Sequence, residues 1–556
     1  MKKTENTYPH LYPNIEDWPI YKLHNDRRNF VEEVEATVFK RIQEENESIE
    51  DILSKTVYLE KIRMKEEPWK VDPPNEPQFW KKISNSLIRK VLDKSEEEAA
   101  STNNELLRRI IHRYTEEIVG TFVKRIFLFA RRFLTAFLGR LLNAANGQIW
   151  NTKYRLYDSL QAHGHVEQVR ELTKHGTIVA VPTHFSNLDS ILIGYVFDGI
   201  VGLPSFSYAA GLNLFNTGYV AYFMNRIGAY RLDRRKKNPI YLATLKGMSS
   251  MAIQRGTHSL VFPGGTRSRS GRIENRLKRG MLGTAVDAQR ALWEKGKDEK
   301  VFIVPVILGY HFVLEAEELI EQHLKQAGKE QYLLRKDGTN IIRKFIRFAW
   351  SLFSTSNEII VSLGKPMDVL GNPVDEKGES IGTNGQRINL KEYFQNNGTL
   401  TYDSQREQVY TTRLAERIVE RYHIDNVVLT SQVVAFAAFH LLRHEHPKLD
   451  LYGLLRLPHD EYIFDRSKLL AVIEQLQNIL KQMEKEGKIR LSDRIRSDVH
   501  GLFKDGIRRL GSYHSNNPLK VNKQEQIVSM SFKLLFYYHN HLDNYHLDKQ
   551  IDWSKV

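Results

Sequence analysis

The sequence predicts an α/β fold, a mostly parallel sheet flanked by helices, set between helical N- and C-terminal additions. Three observations lead there. From about residue 175, short β-branched and apolar runs alternate with helical windows. The connections between most of those runs are long enough for crossovers, as parallel strands require. On either side, residues 1–115 and 405–556 show charged helical periodicity instead.

In chain order, residues 1–115 read as a helical region interrupted by a Pro-rich turn at 71–77 and a polar stretch at 95–104. Residues 116–148 read as a basic amphipathic helix region. Lys124, Arg125, Arg131, Arg132 and Arg140 punctuate an aromatic-rich apolar run there, and the seven-residue recurrence of the 124/125 and 131/132 pairs puts those charges on one helical face. Such a helix suits the interface of an anionic lipid surface and equally suits a protein core, because periodicity does not distinguish the two apolar partners. The stretch 341–353, with Arg343, Lys344 and Arg347, has the same character.

The α/β domain is assigned to residues 149–370. Its strands are expected at 177–182, 205–209, 229–232, 259–262, 301–308 and 358–363, and its helices include 187–197, 219–227, 238–254 and 280–294. Residues 371–404, rich in Gly and Asn, read as a polar linker or surface excursion. Residues 405–556 form a helical C-terminal region with no internal repeat.

Over 556 residues the formal charge is +14, which favours anionic partners such as phosphorylated substrates, acidic carrier proteins or anionic headgroups. No nucleic-acid partner is expected, since no recognition module or zinc pattern accompanies the charge. The chain has no cysteine, which excludes disulfides, thiolate metal sites and a cysteine nucleophile. No metal is expected. The early lysines lack the apolar stretch of a signal peptide, and no run of about 18 apolar residues occurs. The expected location is therefore cytoplasmic, peripheral on the face of a membrane.

Two constellations carry chemistry. In Val-Phe-Pro-Gly-Gly-Thr-Arg-Ser-Arg-Ser-Gly-Arg, residues 261–272, an apolar strand enters a glycine turn that presents Arg267, Arg269 and Arg272. Glycines permit the turn, and guanidinium forks grip phosphate oxygens; a basic surface hairpin has the same spelling. Upstream, His184 and Asp189 follow another apolar run. A neutral imidazole accepts a hydroxyl proton, and a carboxylate on its other nitrogen holds the tautomer. His500 and Asp505 share that spacing without a glycine loop and read as coincidence. A further strand end, residues 228–235, offers Arg234 as the inward cation, with Arg231 or Arg235 as alternatives.

With these residues the chain resembles the glycerolipid acyltransferases that carry an H-x-x-x-x-D motif, especially the membrane-associated glycerol-3-phosphate acyltransferases. His184-Phe185-Ser186-Asn187-Leu188-Asp189 looks like the first block, and Ala209-Ala210-Gly211-Leu212-Asn213-Leu214 is similar to a segment after it. Gly228 to Arg234 looks like the second block, Phe262 to Gly271 the third, and Val304 to Tyr310 the fourth. The resemblance covers residues 175–365. It implies that His184 deprotonates a glycerol hydroxyl for attack on an acyl thioester, with Asp189 in support. Arg234, Gly265, Thr266, Arg267, Ser268 and Arg269 would then bind the acceptor, and Pro305 would shape the pocket.

Two positions depart from the family's pattern. Gly264 stands where the family has glutamate, which removes any part that carboxylate plays in holding the loop, and Phe185 stands where arginine is usual. The implied reaction is transfer of a fatty acyl group to the sn-1 hydroxyl of glycerol 3-phosphate, with acyl-CoA or acyl carrier protein as donor and no cofactor. The alternatives are a 1-acylglycerol-3-phosphate acyltransferase, which the Leu232-Asp233-Arg234 spelling resembles, and a catalytically impaired membrane-binding relative.

Overall fold

Seven strands make the central sheet of the computed structural model, which describes residues 7–44, 48–69, 72–93, 96–145, 160–212, 218–326, 358–511, 514 and 516–556. They are β1 (Leu160–Gly164), β2 (Gly176–Pro182), β3 (Ser207–Gly211), β4 (Ala229–Leu232), β5 (Ser259–Leu260), β6 (Lys300–Tyr310) and β7 (Ile359–Leu363), in the spatial order β1-β7-β6-β2-β5-β3-β4. All neighbours are parallel except β6 and β7, which pair antiparallel. The six expected strands are present within about two residues of their expected bounds. β1 escaped the sequence reading because only its first residue is buried, so no apolar run marks it.

The sheet decides where chemistry can happen. β2, β3, β4, β5 and β6 run parallel, so the segments after them leave from one edge, where α/β folds place their ligands. Those segments carry His184, Asp233 and Arg234, the glycine turn, and the stretch after Tyr310. β2 and β6 are buried along almost their whole length, as a strand covered on both faces must be.

Helices fill both faces. Helix Pro239–Gln254 starts sharply because the Asn238 side chain caps the Tyr241 N–H at 2.8 Å and Pro239 takes the first turn. Its apolar side, with Tyr241, Leu245 and Met248, forms one core with Phe30, Leu53, Trp80, Leu107 and Tyr114 of the N-terminal helices. The described part of residues 405–556 packs continuously onto the sheet. Phe436, Leu476 and Leu535 share a single apolar cluster with Ile178, Val304 and Val361 of the sheet.

Residues 371–404 lie against the domain. Val374 and Phe394 are buried, Phe394 meets Trp293 edge-on at 5.3 Å, and isolated bridges link the segment's start through Met367 to Ile303 of β6. Burying a phenylalanine contributes about 1.5–3 kcal/mol, which a free linker would forgo. The expected basic helix is Lys124–Ala145, but its charges do not share one face. Lys124 pairs with Glu16 and Arg131 with Asp198, whereas Arg125 and Arg132 are exposed beside Phe129 and Phe133, which are 57% and 53% exposed. The stretch 341–353 lies outside the described residues, as do Asn213 and Leu214. Among the described residues no helix is long and apolar enough to cross a membrane.

Candidate active site

At the end of β2 the chain turns away from the sheet, and the Thr183 N–H still reaches Val306 of β6 at 2.9 Å. His184 follows, and its Nδ1 lies 2.8 Å from Asp189 Oδ2. That oxygen also accepts the Phe185 and Ser186 N–H groups at 2.7 and 2.9 Å, while Oδ1 accepts the Tyr310 hydroxyl at 2.6 Å. Asp189 is fully buried, and besides the imidazole its two oxygens meet two backbone N–H groups and a hydroxyl. The carboxylate therefore receives Nδ1–H and leaves Nε2 with a lone pair, the arrangement of a general base. The imidazole is 16% exposed and lies 4.4 Å from the Phe262 ring.

Tyr310 stays a hydroxyl donor, because burial, and then the Asp189 charge, hold its pKa well above the ordinary phenol range. Sequence reading placed Tyr310 in a motif without seeing this bond. Its position five residues before Glu315 gives a second missed partner. Glu315 accepts the Ser186 hydroxyl at 2.8 Å and the Asn187 N–H at 3.2 Å, and it pairs with Arg267 at 3.1 Å. Burial pushes the Glu315 pKa up, with Arg267 opposing. A lone acid inside the apolar stretch Phe312-Val313-Leu314-Glu315-Ala316 was the available signal.

The glycine-arginine loop is joined to the histidine through main chain. Ser268 N–H donates to the His184 carbonyl at 2.7 Å, and the loop's neck is closed by Lys278 N–H to the Pro263 carbonyl at 2.7 Å. Gly265 has φ +75°, a conformation that side-chain-bearing residues rarely adopt. Thr266, Arg267, Ser268 and Arg269 are all part-exposed along the loop, and the Ser268 hydroxyl braces it from within by donating to the Arg272 carbonyl at 2.7 Å. Burial lowers the pKa of His323, and the charges of Arg272 and Arg269 lower it further.

Arg234 is exposed at the end of β4, between two buried neighbours. Arg235 turns the other way. It binds Asp233 and Asp72 and donates to the Glu67 carbonyl at 2.7 Å, so it is tied to the N-terminal helices and is no alternative to Arg234. Arg231 donates to Asn225 at 3.2 Å. Pro305 is buried in β6 in register with Val181, three residues before His184, beneath the site. His500 is exposed, and Asp505 holds Arg494 and Arg509 at 2.9 Å each, so that second pair is no dyad.

The C-terminal region braces the same loop. From helix Phe532–Asp543, Asn540 donates to the Ser270 carbonyl at 2.8 Å, and Asp543 pairs with Arg272; just beyond the helix, Asn544 donates to the Ile273 carbonyl at 3.1 Å. Tyr422 donates to the Val181 carbonyl at 3.0 Å, and the His541 ring lies 5.3 Å from Phe185. Nothing in the spacing of residues 405–556 marks these contacts, because they join residues more than 200 positions apart.

A base held by a carboxylate, tied through one peptide to an arginine loop, suits activation of a hydroxyl on an anionic molecule. The family model for acyltransferases matches residues 163–309. Over those residues the chain is similar to acyltransferases. Among curated relatives, a glycerol-3-phosphate acyltransferase of Aeromonas hydrophila is 30% identical over 260 residues, 46% of this chain and 29% of that protein. One of Alteromonas mediterranea is 31% identical over 226 residues, 40% of this chain and 26% of that protein. The matched part of the chain thus spans under a third of those relatives' own length. A solved 1-acyl-sn-glycerophosphate acyltransferase from Thermotoga maritima is similar at 12% identity with a TM-score of 0.25, covering 66% of this chain and 93% of that one. The α/β fold described above rests on the sheet itself.

Proposed function

We propose that the protein transfers a fatty acyl group from an acyl thioester to the sn-1 hydroxyl of glycerol 3-phosphate, an early step of phospholipid synthesis. The observation that carries this reading is the His184–Asp189 pair at 2.8 Å, joined to the arginine loop through Ser268. Arg267, Arg269 and Arg234 would hold the acceptor phosphate and so present a hydroxyl to His184 Nε2. As Nε2 takes the proton, the oxygen attacks the thioester carbonyl carbon. The tetrahedral intermediate then collapses, the C–S bond breaks, and the thiolate leaves with the proton returned from Nε2. The thioester is already activated, so this reading calls for no resident cofactor. Acyl-CoA and acyl carrier protein, both anionic, each suit the chain's charge as donor.

The test is acyl transfer by the purified protein to glycerol 3-phosphate and, in parallel, to 1-acylglycerol 3-phosphate, with His184→Ala as control. Turnover of the first acceptor, lost in the variant, is expected. Turnover of the second alone would move the assignment one step along. Turnover of neither by folded protein would favour the impaired membrane-binding alternative.

The same reading places the protein peripherally on the cytoplasmic face of a membrane, where its acyl product belongs. Phe129 and Phe133 stack on each other at 6.3 Å, Phe223 stacks on Phe129 at 5.8 Å, and Tyr222 is 49% exposed nearby, under Arg226 at 4.1 Å. With Arg125 and Arg132 exposed on the same helix, this is an aromatic patch rimmed by cations, which suits an anionic headgroup layer. Phe129→Glu/Phe133→Glu should lower partitioning onto vesicles containing anionic phospholipid by at least about tenfold, at roughly 1.4 kcal/mol per factor of ten, without changing the melting temperature. Unchanged sedimentation with vesicles would remove the patch from the reading.

A further inference from the structure

The loop that carries the arginines lacks a side chain at position 264, yet the space beside Gly264 is occupied. A Cβ built there would lie 2.9 Å from Glu274 Oε1, 3.3 Å from its Cγ and 3.5 Å from its Cδ. The same Oε1 accepts the His184 N–H at 3.0 Å. The His184 carbonyl meanwhile accepts Ser268 N–H at 2.7 Å. Both main-chain groups of the candidate base are therefore held by residues of one loop, one of them through a side chain ten positions beyond Gly264.

We propose that Glu274 is a positioning residue for His184, its carboxyl entering from the far limb of the loop to fill the place a side chain at position 264 would take. The proposal rests on His184 acting as the base. Glu274 Oε2 is enclosed and has no hydrogen-bond partner among the described residues. Although the residue as a whole is part-exposed, burial of its carboxyl pushes the pKa up to about 8, with the nearby Asp189 charge adding to it; Tyr422 also faces it. A neutral acid suits the setting, because it gives His184 N–H an acceptor without adding a second charge beside Asp189. Glu274 and Gly264 thus depend on each other: a carboxyl from one position requires the other to stand clear.

That dependence is testable with Glu274→Ala, Glu274→Gln, Gly264→Glu and the double variant Gly264→Glu/Glu274→Ala, each measured for kcat and for melting temperature. Glu274→Ala should lower kcat on the order of 10²-fold by loosening the base. Glu274→Gln keeps the acceptor oxygen and should stay within about threefold of the parent. Gly264→Glu alone should lose activity and stability, because two carboxyls then contend for one space. The double variant should recover at least about tenfold in kcat over Glu274→Ala, together with its melting temperature.

Glu274→Ala within about twofold of the parent, or a double variant no better than Glu274→Ala, would overturn the proposal. If Glu274→Ala does not fold, a folded double variant supports the exchange and an unfolded one refutes it. If the parent transfers acyl groups to no acceptor, the functional reading fails, while the melting temperatures of the four variants still decide whether the two positions are exchanged.

Discussion

Asp189→Asn should lower kcat by about 10²–10⁴-fold while the protein stays folded, the range expected when a general base loses its orienting carboxylate. The reason lies in how Asp189 is used. Its Oδ2 receives His184 Nδ1–H and two backbone N–H groups, and its Oδ1 receives the Tyr310 hydroxyl. An amide has one acceptor oxygen and one donor nitrogen. If the oxygen keeps the backbone N–H groups and His184, the new NH₂ faces Tyr310, which must rotate to accept. If the nitrogen faces His184 instead, Nδ1 must become the acceptor and Nε2 the N–H, which is the wrong tautomer for taking a proton. The KM for the acceptor should change little, because the residues proposed to hold its phosphate are Arg234, Arg267 and Arg269. Steady-state kinetics with a circular-dichroism melt measure both quantities. A folded variant within tenfold of the parent in kcat would remove Asp189 from the chemistry.

Much of this was legible in the sequence because it depends on neighbours in the chain. The apolar runs that became β2 and β6 are buried almost throughout, and a continuous apolar run is what such strands look like. His184 and Asp189 lie five positions apart, so local spacing could pair them. The features that escaped depend on distant partners. The reversal of β7 against β6 is invisible to periodicity. The split of Lys124 and Arg131 away from Arg125 and Arg132 is set by Glu16 and Asp198, both remote in sequence. Glu274 is one acid in a basic stretch of sequence, and its meaning appears only when the loop folds back so that 274 faces 264.

The N-terminal helices show the same principle on a larger scale and give the largest expected loss of stability. Arg63 is 3% exposed and contacts Glu60 and Glu76 at 2.8 Å and Asp72 at 3.4 Å. Beside it, Lys236 pairs with Glu117 at 2.6 Å and Glu76 at 3.4 Å, and Arg235 joins Asp72 to Asp233. Burial works against the Arg63 charge, but Glu60 and then Glu76 outweigh it, so its pKa lies above the ordinary value. Glu60, Asp72, Glu76, Glu117 and Asp233 thus face Arg63, Arg235 and Lys236, and removing Arg63 leaves buried carboxylates with too few partners. Arg63→Ala should therefore cost about 3–5 kcal/mol in chemical denaturation, the penalty for stranding a buried charge. Arg63→Met/Glu76→Gln should recover part of that loss, since replacing both members spares the stranded charge. The consequence reaches the site, because Arg234 sits between Asp233 and Arg235, the two residues that the cluster anchors. In an Arg63 variant that still folds, the KM for the phosphorylated acceptor should rise more than kcat falls. Equal stability of Arg63→Ala and the parent would mean that apolar packing around Trp80 and Tyr114, rather than charge, docks these helices.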